Sequence, residues 1–260
     1  MDGTHDLEVV TEEAMGTVFS FHIIPGKTAI RDITHALDEA KKTLHLHDEI
    51  FSTYKPESPI SQIQKGTFYS RDVSKSTTDD IEEVITLCRK AKDLTKGWFD
   101  PWHGPVGFDP TGLVKGWSIQ KVARLIFSYG PDAVSVNGGG DVYCLAGDPE
   151  YKWRFAVAHP WKKDAVAGIV ETGHAVATSG TYERGNHFFD PLGYVGTPII
   201  SSTVTGPDLA MADAFATALA VGGLEAAKAL DELPEYGYYL IDKDGNETFG
   251  KSIVFATDDP

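Results

Sequence analysis

Asp213 and Thr217 stand one helical turn apart in the run Ala212-Asp213-Ala214-Phe215-Ala216-Thr217-Ala218-Leu219. In an α-helix that spacing puts a carboxylate and a hydroxyl on one face. Hard oxygens of this kind can serve as metal ligands. The alanines around them favour the helix and leave room for a bulky ligand to approach. A helix built only for core packing would carry larger residues than Ala214, Ala216, Ala218 and Ala220. A surface helix would carry more charge than one aspartate between Leu209 and Val221. Taken alone, the pair also reads as a solvated carboxylate beside a hydroxyl bonded back to its own helix.

Four further segments carry groups that could bind a ligand or do chemistry. Asn137-Gly138-Gly139-Gly140-Asp141 follows an apolar strand, and its glycines let the backbone turn sharply and approach a flat or phosphorylated molecule. A plain glycine-rich hairpin is the alternative. No helix follows that strand, so a dinucleotide-fold fingerprint does not apply. Lys115-Gly116 opens a helix expected from about Ser118, where a lysine and the positive end of the helix dipole suit a phosphate; a solvated lysine fits the same residues. Ala177-Thr178-Ser179-Gly180-Thr181-Tyr182-Glu183-Arg184 places hydroxyls, a glycine and an aromatic ring directly after a strand, where loops present binding groups. In His187-Phe188-Phe189-Asp190-Pro191 the histidine can exchange a proton near neutral pH or simply hold a hydrogen bond. The proline keeps Asp190 out of helical geometry.

These groups need elements to position them. Phe19, Phe21 and Ile23 alternate with Ser20 and His22, which predicts a strand after Met15-Gly16-Thr17. Ile33, Leu37, Ala40 and Leu44 predict a helix to about His47, and Ser76 or Thr77 is expected to cap another that stops at Gly97. The stretch 98–116, with Asp100-Pro101 and Asp109-Pro110, reads as a loop shaped around a ligand. A helix over 118–129 precedes strands expected at 133–136, 153–158, 169–177, 200–205, 238–241 and 251–255. The alanine-rich helix starts near Asp208 and breaks at Gly222-Gly223, with a shorter leg to Leu233 before Pro234. The fold class is α+β, one domain over residues 1–260 made of two intimate lobes that share a cleft.

The chain has 260 residues, 42% of them hydrophobic, enough to bury a substantial core. A net charge of −15 and a pI near 4.9 work against nucleic acid and anionic membrane surfaces, and no basic run offers a local exception. Met1 to Asp6 lack the positive and apolar regions of a secretory signal, and no segment is expected to span a membrane. The expectation is a soluble, cytoplasmic protein, with a trimmed export signal as the alternative. Cys88 and Cys144 have no partners at metal-ligand spacing and are expected to be buried thiols.

In chain order, Met15-Gly16-Thr17, Ser52-Thr53-Tyr54-Lys55-Pro56, Asp109 through Lys115-Gly116-Trp117, Asn137 to Asp141, Ala177 to Arg184, His187 to Pro191 and Ala212 to Leu219 form a series of blocks. In that series the chain resembles the ApbE family of FAD:protein FMN transferases over nearly its whole length. The resemblance implies a T-fold-related, bilobal α+β architecture with FAD in the cleft and magnesium on its pyrophosphate. It puts Asp213 and Thr217 on metal-ligand positions, with the backbone carbonyl near Gly112 as a third, and makes Asp213 part of the catalytic set. Met15, Tyr54, Asp100, Lys115, Asn137, Gly139, Gly140 and Asp141 fall where the family holds the flavin nucleotide, and Ser179 and Gly180 join them. His187 matches the histidine associated with catalysis. The implied reaction transfers FMN through a phosphoester to a Ser or Thr of an acceptor flavoprotein and releases AMP. Two departures stand out: the stretch after Asp100-Pro101 is shortened to 102–108, and the family's DPxTG reads Asp190-Pro191-Leu192-Gly193. An FAD pyrophosphatase yielding FMN and AMP, and a non-catalytic FAD-binding protein, are the competing readings.

Overall fold

The computed structural model describes residues 8–180, 190–193 and 196–256. Its elements run β1 (Glu8–Ala14), β2 (Thr17–Ile24), α1 (Ile30–Phe51), α2 (Pro59–Lys65), α3 (Lys75–Leu94), α4 (Thr111–Phe127), β3 (Ala133–Gly138) and β4 (Asp141–Ala146). Then come β5 (Trp153–Ala158), β6 (Val166–Thr172), β7 (Ala175–Gly180), β8 (Ile199–Gly206), α5 (Leu209–Leu230), β9 (Gly237–Asp242) and β10 (Glu247–Phe249). The main sheet has eight strands in the order β1-β2-β3-β4-β7-β8-β9-β10, and β5 pairs with β6 apart from it. Every pairing is antiparallel.

Because strand side chains alternate, successive residues meet different layers. Ala175, Ala177, Tyr238 and Leu240 enter the main core with the helices. Val176, Tyr239 and Ile241 point the other way and pack with Val157 and Val170 of the β5–β6 ribbon. On the helical face, α4 lies on β3 and β4, α5 on β7 and β8, and α1 covers α4. The α+β expectation therefore holds, with the helices on one side of an antiparallel sheet.

Several boundaries move. Ser74, not Ser76 or Thr77, caps α3, its hydroxyl accepting from the Thr77 N–H at 3.1 Å. Helix α4 begins at Thr111, so Lys115-Gly116 lies inside it and not at its start. Gly112 and Gly116, read in sequence as part of the loop and its exit, are helical, and Gly116 sits where another helix comes close: a Cβ there would lie 2.5 Å from the Leu209 carbonyl oxygen. The stretch 169–177 is two strands in different sheets, separated at Gly173-His174. Residues 251–255 contribute one bridge, Val170 to Phe255. Helix α5 turns at Gly223 (φ 51°, ψ −134°) as the glycine pair predicts, and its second leg ends at Leu230.

Helix α5 also corrects the membrane reading. Its 22 residues hold an 18-residue stretch of mean hydropathy 1.4, long and apolar enough by composition to cross a bilayer, but 72% of that stretch is buried inside the fold. Both cysteines are buried, and burial pushes both thiol pKa values up.

Candidate functional site at the α4–α5 junction

Helices α4 and α5 meet along small residues. A Cβ on Gly112 would lie 3.3 Å from the Thr217 hydroxyl, and the Gly116 N–H donates to Asp213 Oδ2 at 3.1 Å. Further along, the Leu209 N–H donates to Gln120 Oε1 at 2.6 Å. Positions 112, 116 and 120 thus face 217, 213 and 209, so the helices run antiparallel with Asp213 near the middle of the contact. Its 5% exposure means the carboxylate is held by these neighbours more than by solvent.

Lys115 joins this face to the sheet. Its ammonium forms an ion pair with Asp141, the first residue of β4, and stands 3.8 Å from Asp213 Oδ2. Asp141 is 1% exposed, and its other oxygen accepts from the Thr178 N–H at 3.0 Å. Two buried carboxylates thus face one ammonium, a balance that favours further positive charge. Thr217 is tied to β7 through Ser179, whose hydroxyl lies 3.4 Å from its own. The Ser202 hydroxyl donates to the Ala216 carbonyl at 2.6 Å and fixes α5 to β8.

Beside Asp141, the glycine-rich segment forms the tight hairpin named as its plainer reading. Gly139 and Gly140 have φ of 62° and 92°, and Asn137 Oδ1 accepts from the Gly140 N–H at 3.1 Å. The β1–β2 turn, Met15 (φ 49°) and Gly16 (φ 71°), lies alongside, since a Cβ on Gly139 would be 3.0 Å from the Thr17 hydroxyl.

The structure therefore brings together Gly112, Lys115, Asp141, Ser179, Asp213 and Thr217. Among the described residues, no hydrogen bond or ion pair links Met15, Tyr54 or Asp100 to that cluster. Tyr54 is 93% exposed in the turn after α1. Asp100 pairs with Lys92 at 2.7 Å and accepts from the Trp102 N–H at 3.0 Å, although the ring of its neighbour Phe99 packs against Gly112. Gly180 ends β7 opposite Ser201. Asp190 Oδ1 accepts from the N–H groups of Leu192 and Gly193 at 2.9 and 2.8 Å. His187 lies outside the described residues. Sequence reasoning did not single out Gln120, Ser202 or the Thr178 N–H. Gln120 was findable as the next step after 112 and 116, while the other two depend on strand pairing.

Among the described residues, no three His, Cys, Asp or Glu side chains gather as a metal site. A cation here would instead rest on the Asp213 carboxylate, the Thr217 hydroxyl and the Gly112 carbonyl, an all-oxygen set that suits magnesium. In a regular helix the Gly116 N–H is directed at the Gly112 carbonyl. Its hydrogen bond to Asp213 weakens that claim and leaves the carbonyl better able to ligate.

A family model described as the ApbE family matches residues 15–108 and 104–240. The FAD:protein FMN transferase of Escherichia coli K12 is 28% identical over 308 aligned positions, covering 94% of this chain and 87% of that protein. The Vibrio cholerae protein of the same name is 26% identical, covering 92% of this chain and 89% of its own length. The solved flavin transferase ApbE from Vibrio cholerae superposes with a TM-score of 0.77 at 21% identity, covering 95% of this chain and 98% of that one. With its sequence matched from Met15 to Leu240 and its fold shared over 95% of its length, the chain belongs to the ApbE family.

Proposed function

We propose that the chain is a magnesium-dependent FAD:protein FMN transferase that moves FMN from FAD onto a serine or threonine hydroxyl of a flavoprotein and releases AMP. The observation that carries this reading is the meeting of Asp213 and Thr217 with Gly112, beside the Lys115–Asp141 ion pair. It is supported by similarity over 94% of the chain to a protein named for that activity.

In this reading FAD lies in a cleft between two lobes, with its pyrophosphate against the α4–α5 junction. The acceptor hydroxyl oxygen bonds to the phosphorus of the FMN half. The bond from that phosphorus to the bridging oxygen breaks, and AMP leaves with that oxygen and its electron pair. The hydroxyl proton passes to His187 and then to solvent. Magnesium held by Asp213, Thr217 and the Gly112 carbonyl would supply charge neutralisation on the pyrophosphate. Lys115, aimed by Asp141, opposes the negative charge that grows on the leaving phosphate. The turn from Asn137 to Asp141, with Ser179 and Gly180, offers backbone and hydroxyl groups to the nucleotide. Met15, Tyr54 and Asp100 complete its binding, the exposed ring of Tyr54 giving a stacking face.

The test is incubation of the protein with FAD, magnesium and a panel of flavoprotein domains that carry phosphoester-linked FMN in their own hosts, followed by intact-mass spectrometry. The expected result is FMN added to one Ser or Thr with one equivalent of AMP. Free FMN and AMP with no labelled acceptor would identify a pyrophosphatase instead, and retained FAD without products a binding protein.

A further inference from the structure

Gln120 lies one turn beyond Gly116 on α4 and is 6% exposed. Both ends of its amide are engaged by the start of α5: Oε1 accepts from the Leu209 N–H at 2.6 Å, and Nε2 donates to Asp208 Oδ2 at 2.9 Å. Asp208 is the N-cap of α5, its other oxygen accepting from the Met211 N–H at 3.0 Å. The first N–H groups of a helix lack partners within it, and here a side chain from another helix takes one of them. An amide has a donor and an acceptor in a fixed plane, so two opposed bonds to adjacent residues fix direction as well as distance.

The contact has leverage because of the spacing. Sliding one helix past another by a single residue moves it about 1.5 Å. A slip of that size would break the 3.1 Å bond from Gly116 to Asp213 and move Lys115 from its place 3.8 Å from the same carboxylate. Gly116 has no side chain with which to resist such a slip, and its close approach to the Leu209 carbonyl only limits how near the helices come. Gln120 supplies the two-bond side-chain grip along this face, in addition to the single bond from Gly116.

We propose that Gln120 is a positioning residue that sets the register of α4 against α5, and so holds Gly112 and Lys115 opposite Thr217 and Asp213. Its consequence for metal binding rests on the function proposed above; the register itself does not.

The test reverses the hydrogen bond. Gln120→Glu sets a second carboxylate against Asp208 and breaks the grip. Gln120→Glu combined with Asp208→Asn rebuilds it with donor and acceptor exchanged. The introduced asparagine still caps α5 through its oxygen and donates its NH2 to the introduced glutamate, which accepts from the Leu209 N–H as the glutamine did. Two readouts are taken at pH 8 without flavin. One is Mn2+ affinity by electron paramagnetic resonance, and the other is amide exchange at Gly116 by NMR, referred to Leu44 in α1. In the single variant, Mn2+ affinity is expected to fall on the order of tenfold or more, as for other partners that orient metal ligands. Gly116 exchange is expected to rise at least tenfold relative to Leu44, and the double variant to recover both. Unchanged values in Gln120→Glu, equal acceleration at Gly116 and Leu44, or no recovery in the double variant would overturn the proposal. If the parent protein binds no Mn2+, the metal reading fails by itself, and the Gly116 exchange pattern alone decides the role of Gln120.

Discussion

Lys115 forms an ion pair with Asp141 while its ammonium stands 3.8 Å from the carboxylate of Asp213. One cation from α4 thus serves two buried acids, one from the first residue of β4 and one from the middle of α5. The pairing links the sheet to the helical layer at the point where the candidate ligands meet. It also leaves one negative charge in excess, so the pocket favours a further positive charge.

Lys115→Met removes the ammonium and leaves Asp141 almost wholly buried beside an uncharged side chain. Breaking one side of a buried pair typically destabilises by about 3–5 kcal/mol. The lysine keeps 19% of its side chain exposed, so roughly 2–3 kcal/mol is expected after allowing for solvent screening. Urea unfolding at pH 7.5 measures it, and a loss under about 0.5 kcal/mol would show that the pair is solvated in practice.

Asp213→Asn separates charge from structure. Asparagine can still accept from the Gly116 N–H through its side-chain oxygen, so the α4–α5 contact survives while the carboxylate is lost. The expected outcome is a melting temperature close to the parent's and Mn2+ affinity reduced at least a hundredfold, with FMN transfer abolished. Asp213→Ala, which looks harmless on an alanine-rich helix, removes a buried hydrogen bond to a charged acceptor and is expected to destabilise by roughly 1–3 kcal/mol. A stable alanine variant and an unstable asparagine variant would contradict this account.

How far these relationships could be read from sequence follows from their range. Asp213 and Thr217 were legible because helical periodicity alone puts them on one face. The hairpin at Asn137 to Asp141 was legible because paired glycines permit positive φ at both turn positions. The Lys115–Asp141 pair was not, since only the sheet and the helix layer bring those residues together. The start of α4 was lost because Gly112 and Gly116 lower local helix propensity by about 1 kcal/mol each, while the close approach of α5 that rewards them is a tertiary fact. Strand β1, written EVVTEEA, hid because its alternation mixes valine with glutamate, as an edge strand allows.

Gly116→Ala tests that close approach. Alanine gains about 1 kcal/mol in helix propensity over glycine. Its Cβ would nonetheless lie 2.5 Å from the Leu209 carbonyl oxygen and 3.0 Å from Asp213 Cβ, so α4 and α5 must separate. Overpacking of this kind costs about 1–3 kcal/mol, and the obstacle here is backbone, which cannot rotate away. The net expectation is destabilisation of about 1–2 kcal/mol by urea unfolding, with weakened Mn2+ binding. A stabilised variant would mean the helices part without penalty.

His47 gives a pH signature one turn from the site. Its ring lies in α1, 4.5 Å from the Trp117 ring, with Nδ1 2.7 Å from the Ser118 hydroxyl. Burial, aided by the nearby Lys121 and opposed by Glu83, pushes its pKa down to about 4 from 6.5. Well above pH 6.5, from about 7.5, the imidazole is neutral both folded and unfolded, so it adds no pH dependence there. Between pH 6.5 and about 4 the unfolded chain takes up a proton that the folded one refuses, and stability falls as the pH falls. The slope approaches about 1.4 kcal/mol per pH unit, about 3 kcal/mol in all. His47→Gln keeps a hydrogen-bonding group for Ser118 and cannot titrate, so it removes this term while the carboxylates common to both proteins titrate as before. Urea unfolding of the two proteins at matched pH from about 7.5 to about 4 is the measurement. The parent is expected to lose about 3 kcal/mol more than the variant across that range. Parallel curves would mean that His47 protonates freely in the folded state, and that its contact with Trp117 and Ser118 does not hold α1 against α4 in the neutral form.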